Sequence, residues 1–422
     1  MFLQRLIDRN PRLLEAAIEL QQSGRIPPNT WVIDLDAVAE NARLLAAEAK
    51  RLGLRTYVMS KQYARNPYVS VVALANGLNK MVAVDVQCSL LLRRYGIPVG
   101  HMGHLNQIPR HLVADMVAMR PEVITVYNAE HARWIDAAAT AQGVRQDVLM
   151  RVIAPGDIFF DGQEGGVPEE DVAAVAHAIG RLSHVRLVGV TSFPCVRYNP
   201  LPSDPRAEAT PNFHTILRAA AILRGVGIAV TQINAPGNTS SFTMAMLAEH
   251  GATHVEPGHG LLGTTPHQIY VDGLPERPTY AWVTEISHHV GDRAYAFGGG
   301  LFSDMKRPGF QDQALVGSSW SEALHNPVDH VQDIDQLIDY HAILHPGNRC
   351  RVGDSAVFGF RPQMQMTRSY IAPVSGLSST RTIKEVRVHY LFDHATTALD
   401  DRYNPVDLTV VRRDIDALLS AG

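Results

Sequence analysis

The chain has 422 residues, 46% of them hydrophobic and 19% charged, a composition that can bury one or two sizeable cores. Its formal net charge is −4, from 38 Lys+Arg against 42 Asp+Glu with no basic run, so neither nucleic acid nor membrane is expected as a partner. Cys88, Cys195 and Cys350 are too few and scattered for a disulfide framework or a CxxC zinc pair, and the N-terminus lacks the apolar core of a signal peptide; a reducing cytoplasm is the expected location.

Residues 1–29, opening MFLQRLIDRNPRLLEAA, read as a helical segment associated with a β-domain. From residue 31 to 265, short β-branched runs alternate with longer stretches of helical spacing, the rhythm of parallel strands joined by crossover helices. WVIDL opens a strand, and Val38, Ala42, Leu45, Ala49 and Leu52 recur at intervals of three and four. RTYVMS, KMVAVD, IPVGHMG, EVITVYN, VLMRVIA, RLVGVTSF, AVTQINA and THVEPG then give eight strand candidates, with helical segments such as DVAAVAHAIGRL and HTILRAAAILRGV between several of them. Eight strands over this length predict a (β/α)8 TIM barrel across residues 30–270; a doubly wound open sheet is the alternative, but no GxGxxG follows the first strand. Residues 271–422 read as a C-terminal β-rich domain of short strands broken by glycine and proline. Within it, SDMKRPGFQDQALVGSSWSEALHNPVDHVQDIDQ is expected to be loop-rich.

In such a barrel the chemistry sits where strands end. Lys61 ends RTYVMS; by itself it reads as a surface lysine just past a strand. AVTQINA, with Asn234, is followed by Gly237, Asn238, Thr239, Ser240 and Ser241, a small hydroxyl-rich turn entering a helix. Free N–H groups there suit a phosphate dianion, although any Asn-Thr-Ser run also supplies an ordinary N-cap. THVEPGHGLLG puts Glu256 at the next strand end, where a solvated rim charge is the plain alternative, and Gly258 lets the backbone approach a ligand.

Taken together, a lysine at an early strand end, a phosphate cup late in the barrel, an acid beside it and a trailing β-domain resemble the fold-type III pyridoxal-phosphate enzymes, which include alanine racemases and ornithine and diaminopimelate decarboxylases. WVIDLDAVAENARLL is similar to the opening strand and helix of alanine racemases, and MSKQYARNP looks like the lysine motif of the YhfX-type branch. The resemblance implies pyridoxal 5'-phosphate held by Lys61 as a Schiff base. It places the phosphate against Asn238, Thr239, Ser240, Gly258 and His259, and Glu256 opposite the pyridine nitrogen, where alanine racemases have arginine and the decarboxylases glutamate. Arg65 would reach the phosphate or a substrate carboxylate, with a surface position the equal alternative.

Several positions depart from both groups. Ser192 stands where the racemases have a histidine, so the flat neighbour of the ring has to be Phe193 or come from elsewhere. The racemases' second base is a tyrosine donated by the partner subunit; AFGGG offers Phe297 there, with Tyr295 two residues earlier as the substitute. Cys195 is a candidate proton donor, or a small core residue. His101 and His104 form the closest histidine pair, but no third and fourth ligand follow at recognisable spacing, and no metal site is expected. The implied activity is an amino-acid racemase on a small-molecule amino acid, working as a homodimer, with a decarboxylase or other α-carbanion lyase, or a catalytically idle cofactor-binding protein, as alternatives.

Overall fold

A computed structural model describes residues 2–198, 206–301, 312–331 and 339–420. Helices α1 (Phe2–Arg9) and α2 (Pro11–Gln22) lead into strand β1 (Thr30–Asp34). Asp34 ends that strand and at once caps helix α3 (Leu35–Arg51), its carboxylate accepting from the amides of Asp36 and Ala37. Val38, Ala42, Leu45 and Ala49 form the buried stripe that their spacing predicts.

The barrel starts after α3. Strands β2 (Arg55–Met59), β3 (Lys80–Ala83), β4 (Val99–Met102), β5 (Val123–Val126), β6 (Gln146–Ile153), β7 (Val185–Thr191), β8 (Gln232–Asn234) and β9 (His254–Val255) pair in parallel in that order, and β9 returns to β2. These are the eight strands expected from RTYVMS to THVEPG. Interior close-packing is visible at Gly189, where an added Cβ would stand 1.7 Å from the Gln232 carbonyl oxygen. At the N-terminal end Tyr57 closes the bore, its hydroxyl donating to Glu122 at 2.8 Å, and Lys80 pairs with the same carboxylate.

β1 is not a barrel strand. It is fully buried between residues 280–283, antiparallel, and residues 370–374, parallel, inside the sheet of the second domain. The reason is visible in its composition: with every side chain buried, it lacks the alternation that would mark one wet face, and nothing local specifies which sheet takes it. Among the described residues that antiparallel-rich sheet has 11 strands, and α2 covers it through Leu13, Leu14, Ala17 and Ile18. Of the stretch expected to be loop-rich, the described part forms strands Gln313–Gly317 and Pro327–His330 around a helical turn at Trp320–Ala323, while 303–311 and 332–336 lie outside the described residues. No helix among the described residues is long and apolar enough to cross a membrane.

Candidate active site

The C-terminal ends of the barrel strands and a loop of the β-domain around Arg361, Gln363 and Met366 enclose a cavity of about 640 Å3. Lys61 enters it from the first turn after β2. Its backbone belongs to a short 3-10 turn, Lys61–Tyr63, that ends in two successive left-handed residues, Ala64 (φ +53°) and Arg65 (φ +60°). Non-glycine residues avoid that region, so the turn has to be held by its surroundings. The amide of Arg65 donates to the Ser60 carbonyl at 2.9 Å, Thr396 Oγ1 donates to the Ala64 carbonyl, and Asn66 caps the helix Pro67–Ala75 by accepting from Tyr68 and Val69. The polar cluster ending in proline is thus a strained turn followed by a capped helix. Arg65 is buried behind that turn and does not line the cavity.

Glu256 forms the floor. Its Oε1 accepts from Asn234 Nδ2 at 2.8 Å and meets His101 Nδ1 at 2.7 Å, and His101 Nε2 meets Thr125 Oγ1 at 2.5 Å. Oε2 has no hydrogen-bond partner, and Glu256 is among the residues that line the cavity. Burial acts to raise this carboxyl, but the adjacent His104 and His101 imidazoles and the bonds from His101 and Asn234 outweigh it and bring it to about 2. Glu256 is therefore an ionised, fully enclosed acceptor and not a solvated rim charge. Asn234, expected to touch a cofactor, instead holds Glu256 from behind.

The turn Gly237–Ser240 faces Gly258 and His259 across the cavity. Gly237 (φ +125°) and Asn238 (φ +43°) carry its left-handed geometry. An added Cβ on Gly258 would meet Gln62 Oε1 at 2.7 Å, so a larger residue there would push the Gln62 side chain aside. The helix that follows, Ser241–Glu249, does not leave all its first amides free: Ser240 N donates to Thr243 Oγ1 at 2.9 Å and Ser241 N to the buried Glu276 at 2.8 Å. An anion is left with the Gly237–Thr239 turn and the opposing Gly258–His259 turn. Thr239 Oγ1 is buried there with no partner.

Phe193 forms a wall of the cavity, tilted on Phe160 at 5.9 Å and edge-on to His104 at 5.7 Å, and is joined to Pro194 by a cis peptide. Ser192 and Cys195 are fully buried and outside the cavity lining; Cys195 Sγ donates to the Ser192 carbonyl, and burial pushes its thiol far up, as in a core cysteine. Tyr295 is also away from this chain's cavity, on a β-domain hairpin where it stacks on His288 at 4.8 Å. One residue and one grouping of residues went unrecognised in the sequence. Arg151, fully buried on β6, donates to Tyr127 Oη at 2.9 Å and to the Gln163 carbonyl, with Nε unpaired; its one signal was a lone arginine inside the apolar run VLMRVIA. The third group beside His101 and His104 is Glu256, with potential ligand atoms all within 4.8 Å, brought from a distant strand rather than by local spacing. Both His101 nitrogens are already hydrogen-bonded there.

The cavity fits a flat, phosphate-bearing heteroaromatic cofactor. Its lysine, its aromatic wall and its glycine turns come with buried polar atoms of lining residues that lack protein partners: Gln62 Oε1, Thr239 Oγ1 and Glu256 Oε2.

Comparison with known proteins agrees with this class. Residues 33–266 match the alanine racemase N-terminal domain, and residues 281–383 the YhfX-like C-terminal domain. The chain belongs to the alanine racemase-like family, in its YhfX-type branch. It is 39% identical over 377 residues to YhfX of Escherichia coli (strain K12), covering 89% of this chain and 95% of that one. Among solved structures it resembles D-threonine aldolase from Filomicrobium marinum (TM-score 0.63, 15% identity, 88% of this chain and 96% of the other). Alanine racemase from Corynebacterium glutamicum is similar (TM-score 0.56, 18% identity, 79% and 90%). At these identities the structures establish a shared fold.

Proposed function

We propose that the protein is a pyridoxal 5'-phosphate-dependent enzyme that removes the α-hydrogen of a small-molecule amino acid, and that its reaction is racemisation. The observation that carries this reading is the convergence of Lys61 and Glu256, whose Oε2 is unpaired, on one cavity that the glycine turns Gly237–Thr239 and Gly258–His259 also line. Membership of the alanine racemase-like family supports it. The cofactor, when bound, supplies an electron sink for the α-carbon. Lys61 Nζ would anchor the cofactor and would serve as the base for the α-proton. The Gly237–Thr239 and Gly258–His259 turns would hold the phosphate, Phe193 would pack on the ring, and Glu256, held by Asn234 and His101, would offer a carboxylate to the ring nitrogen.

A carbanion lyase is the second reading, and one observation favours it: an ionised Glu256 at the floor strengthens the electron sink beyond what proton exchange alone requires. The experiment is to load the full chain with pyridoxal phosphate, trap the adduct with borohydride and map the modified peptide, then incubate the holoenzyme with single amino acids. Lys61 is the expected site. Inversion at the α-carbon supports racemisation, release of carbon dioxide or of a carbonyl product supports a lyase, and labelling of another lysine removes the assignment.

A further inference from the structure

His104 plays no part in the reading above, yet its surroundings single it out. It follows Gly103, whose φ of +70° turns the chain at the end of β4 and delivers the imidazole into the barrel mouth. The ring is buried, edge-on to His101 at 5.2 Å and to Phe193 at 5.7 Å. Neither Nδ1 nor Nε2 has a hydrogen-bond partner, although a neutral imidazole has one N–H to donate and one nitrogen to accept. Two neighbours are left in the same condition. Glu256 Oε2 lies 3.5 Å from His104 Nε2, and Arg151 Nε belongs to the guanidinium that reaches the His104 carbonyl. Three strands thus deliver three adjacent unmatched polar groups, and buried groups in that state are normally satisfied by something that binds.

We propose that His104 is a cofactor-contacting residue: its imidazole hydrogen-bonds the edge of the bound pyridoxal ring beside the Glu256 contact, so that a neutral ring nitrogen and a carboxylate grip that edge together. The assignment rests on the pyridoxal-phosphate reading and adds a residue to it. Burial keeps His104 uncharged, pulling it to about 3, so it serves as a neutral partner and leaves the single negative charge of Glu256 intact. A metal ion is the competing occupant. Because His101 is already engaged on both sides, only His104 and Glu256 remain to hold one, fewer protein ligands than a zinc site takes.

The test uses the full chain, with and without pyridoxal phosphate. His104→Leu should weaken cofactor binding about tenfold or more and move the absorbance maximum of the bound cofactor, since one ring contact is lost. The thermal midpoint of the cofactor-free variant should hold or rise, because an unpaired buried imidazole has been replaced by an apolar side chain. His104→Gln, which keeps a donor and an acceptor, should recover part of the affinity. If the leucine variant does not fold, His104→Ala with added imidazole replaces it, and the imidazole should restore the spectrum. Unchanged affinity and spectrum overturn the proposal, as does a lower cofactor-free midpoint with no recovery in the glutamine variant, the mark of a structural role. Zinc chloride alone raising the midpoint of the unaltered protein but not of His104→Leu assigns the unmatched atoms to a cation and also overturns it. If the unaltered protein takes no pyridoxal phosphate, the cofactor reading itself falls; if it binds and His104→Leu binds equally well, only the role of His104 does.

Discussion

A carboxylate in the interior of a barrel needs partners, and Glu256 has them on one oxygen only. That asymmetry yields a measurable consequence. In Glu256→Gln the acceptor keeps its shape and loses its charge, so exchange of the substrate α-hydrogen with heavy water should slow by roughly tens to a thousandfold, the equivalent of about 2–4 kcal/mol. Glu256→Arg should slow it as well, and undiminished exchange in both variants would show that the carboxylate does not face the cofactor's ring nitrogen. The barrel interior also carries a pH signature. Burial holds His104 at about 3 and His254 at about 4, against 6.5 for a free imidazole, so below pH 6.5 the unfolded chain binds protons that the folded one refuses. Stability contributed by these groups is present at neutral pH and lost as pH falls from 6.5 through those values. Glu256 adds a contribution that is present above 4.5 and lost between 4.5 and about 2. The thermal midpoint should therefore drop between pH 7 and 4, and less steeply in His254→Phe, which removes one buried imidazole while keeping a ring against Tyr57, now 5.2 Å away. An identical slope in that variant would mean that His254 is not held neutral. Lys61 and Glu256 were legible as strand-end residues, whereas Asn234, His101 and Arg151 owe their roles to contacts across the barrel between segments far apart in sequence, which spacing does not reveal.

Turns and helix starts were more legible than sheet membership. Asn66-Pro67 and the Gly237–Ser241 run each mark a loop entering a helix, because cap chemistry is local. The sheet that takes β1 is decided by pairing with residues 280–283 and 370–374, which no local pattern encodes. The phosphate cup shows both kinds of information. Its glycines are evident in the sequence, but the reason for Gly260 is not: an added Cβ there would stand 1.9 Å from the Thr239 carbonyl oxygen. Gly260→Ala must displace the Gly237–Thr239 turn. The expected result is a loss of about tenfold or more in pyridoxal phosphate affinity, from anion contacts moved out of range, with the far-ultraviolet circular dichroism of the folded chain retained. Unchanged affinity would show that the phosphate is held elsewhere.

At the scale of the whole molecule, the cavity within one chain is lined by Lys61 and by one described tyrosine, Tyr198, while neither of the expected proton donors, Tyr295 and Cys195, reaches it. Cys195 is sealed in the core and Tyr295 sits on the β-domain hairpin, stacked on His288 beside His341, with Phe297 exposed on the same strand. Racemisation needs a second group, and we propose that a homodimer provides it, the hairpin of one subunit reaching the cavity of its partner. Light scattering should show a dimer at the concentrations used for assay. The sharper measurement mixes two variants that are each inactive alone, Lys61→Ala and Tyr295→Phe, after dissociation and reassembly. In a mixed dimer one of the two cavities combines an intact Lys61 with an intact Tyr295 from the other chain, so racemase activity should reappear that neither parent has. If Tyr295 served the cavity of its own chain, every cavity in the mixture would lack one of the two residues and no activity would return. A monomer that turns over substrate would remove the dimer altogether and leave the proton donor to be sought among the residues of a single chain.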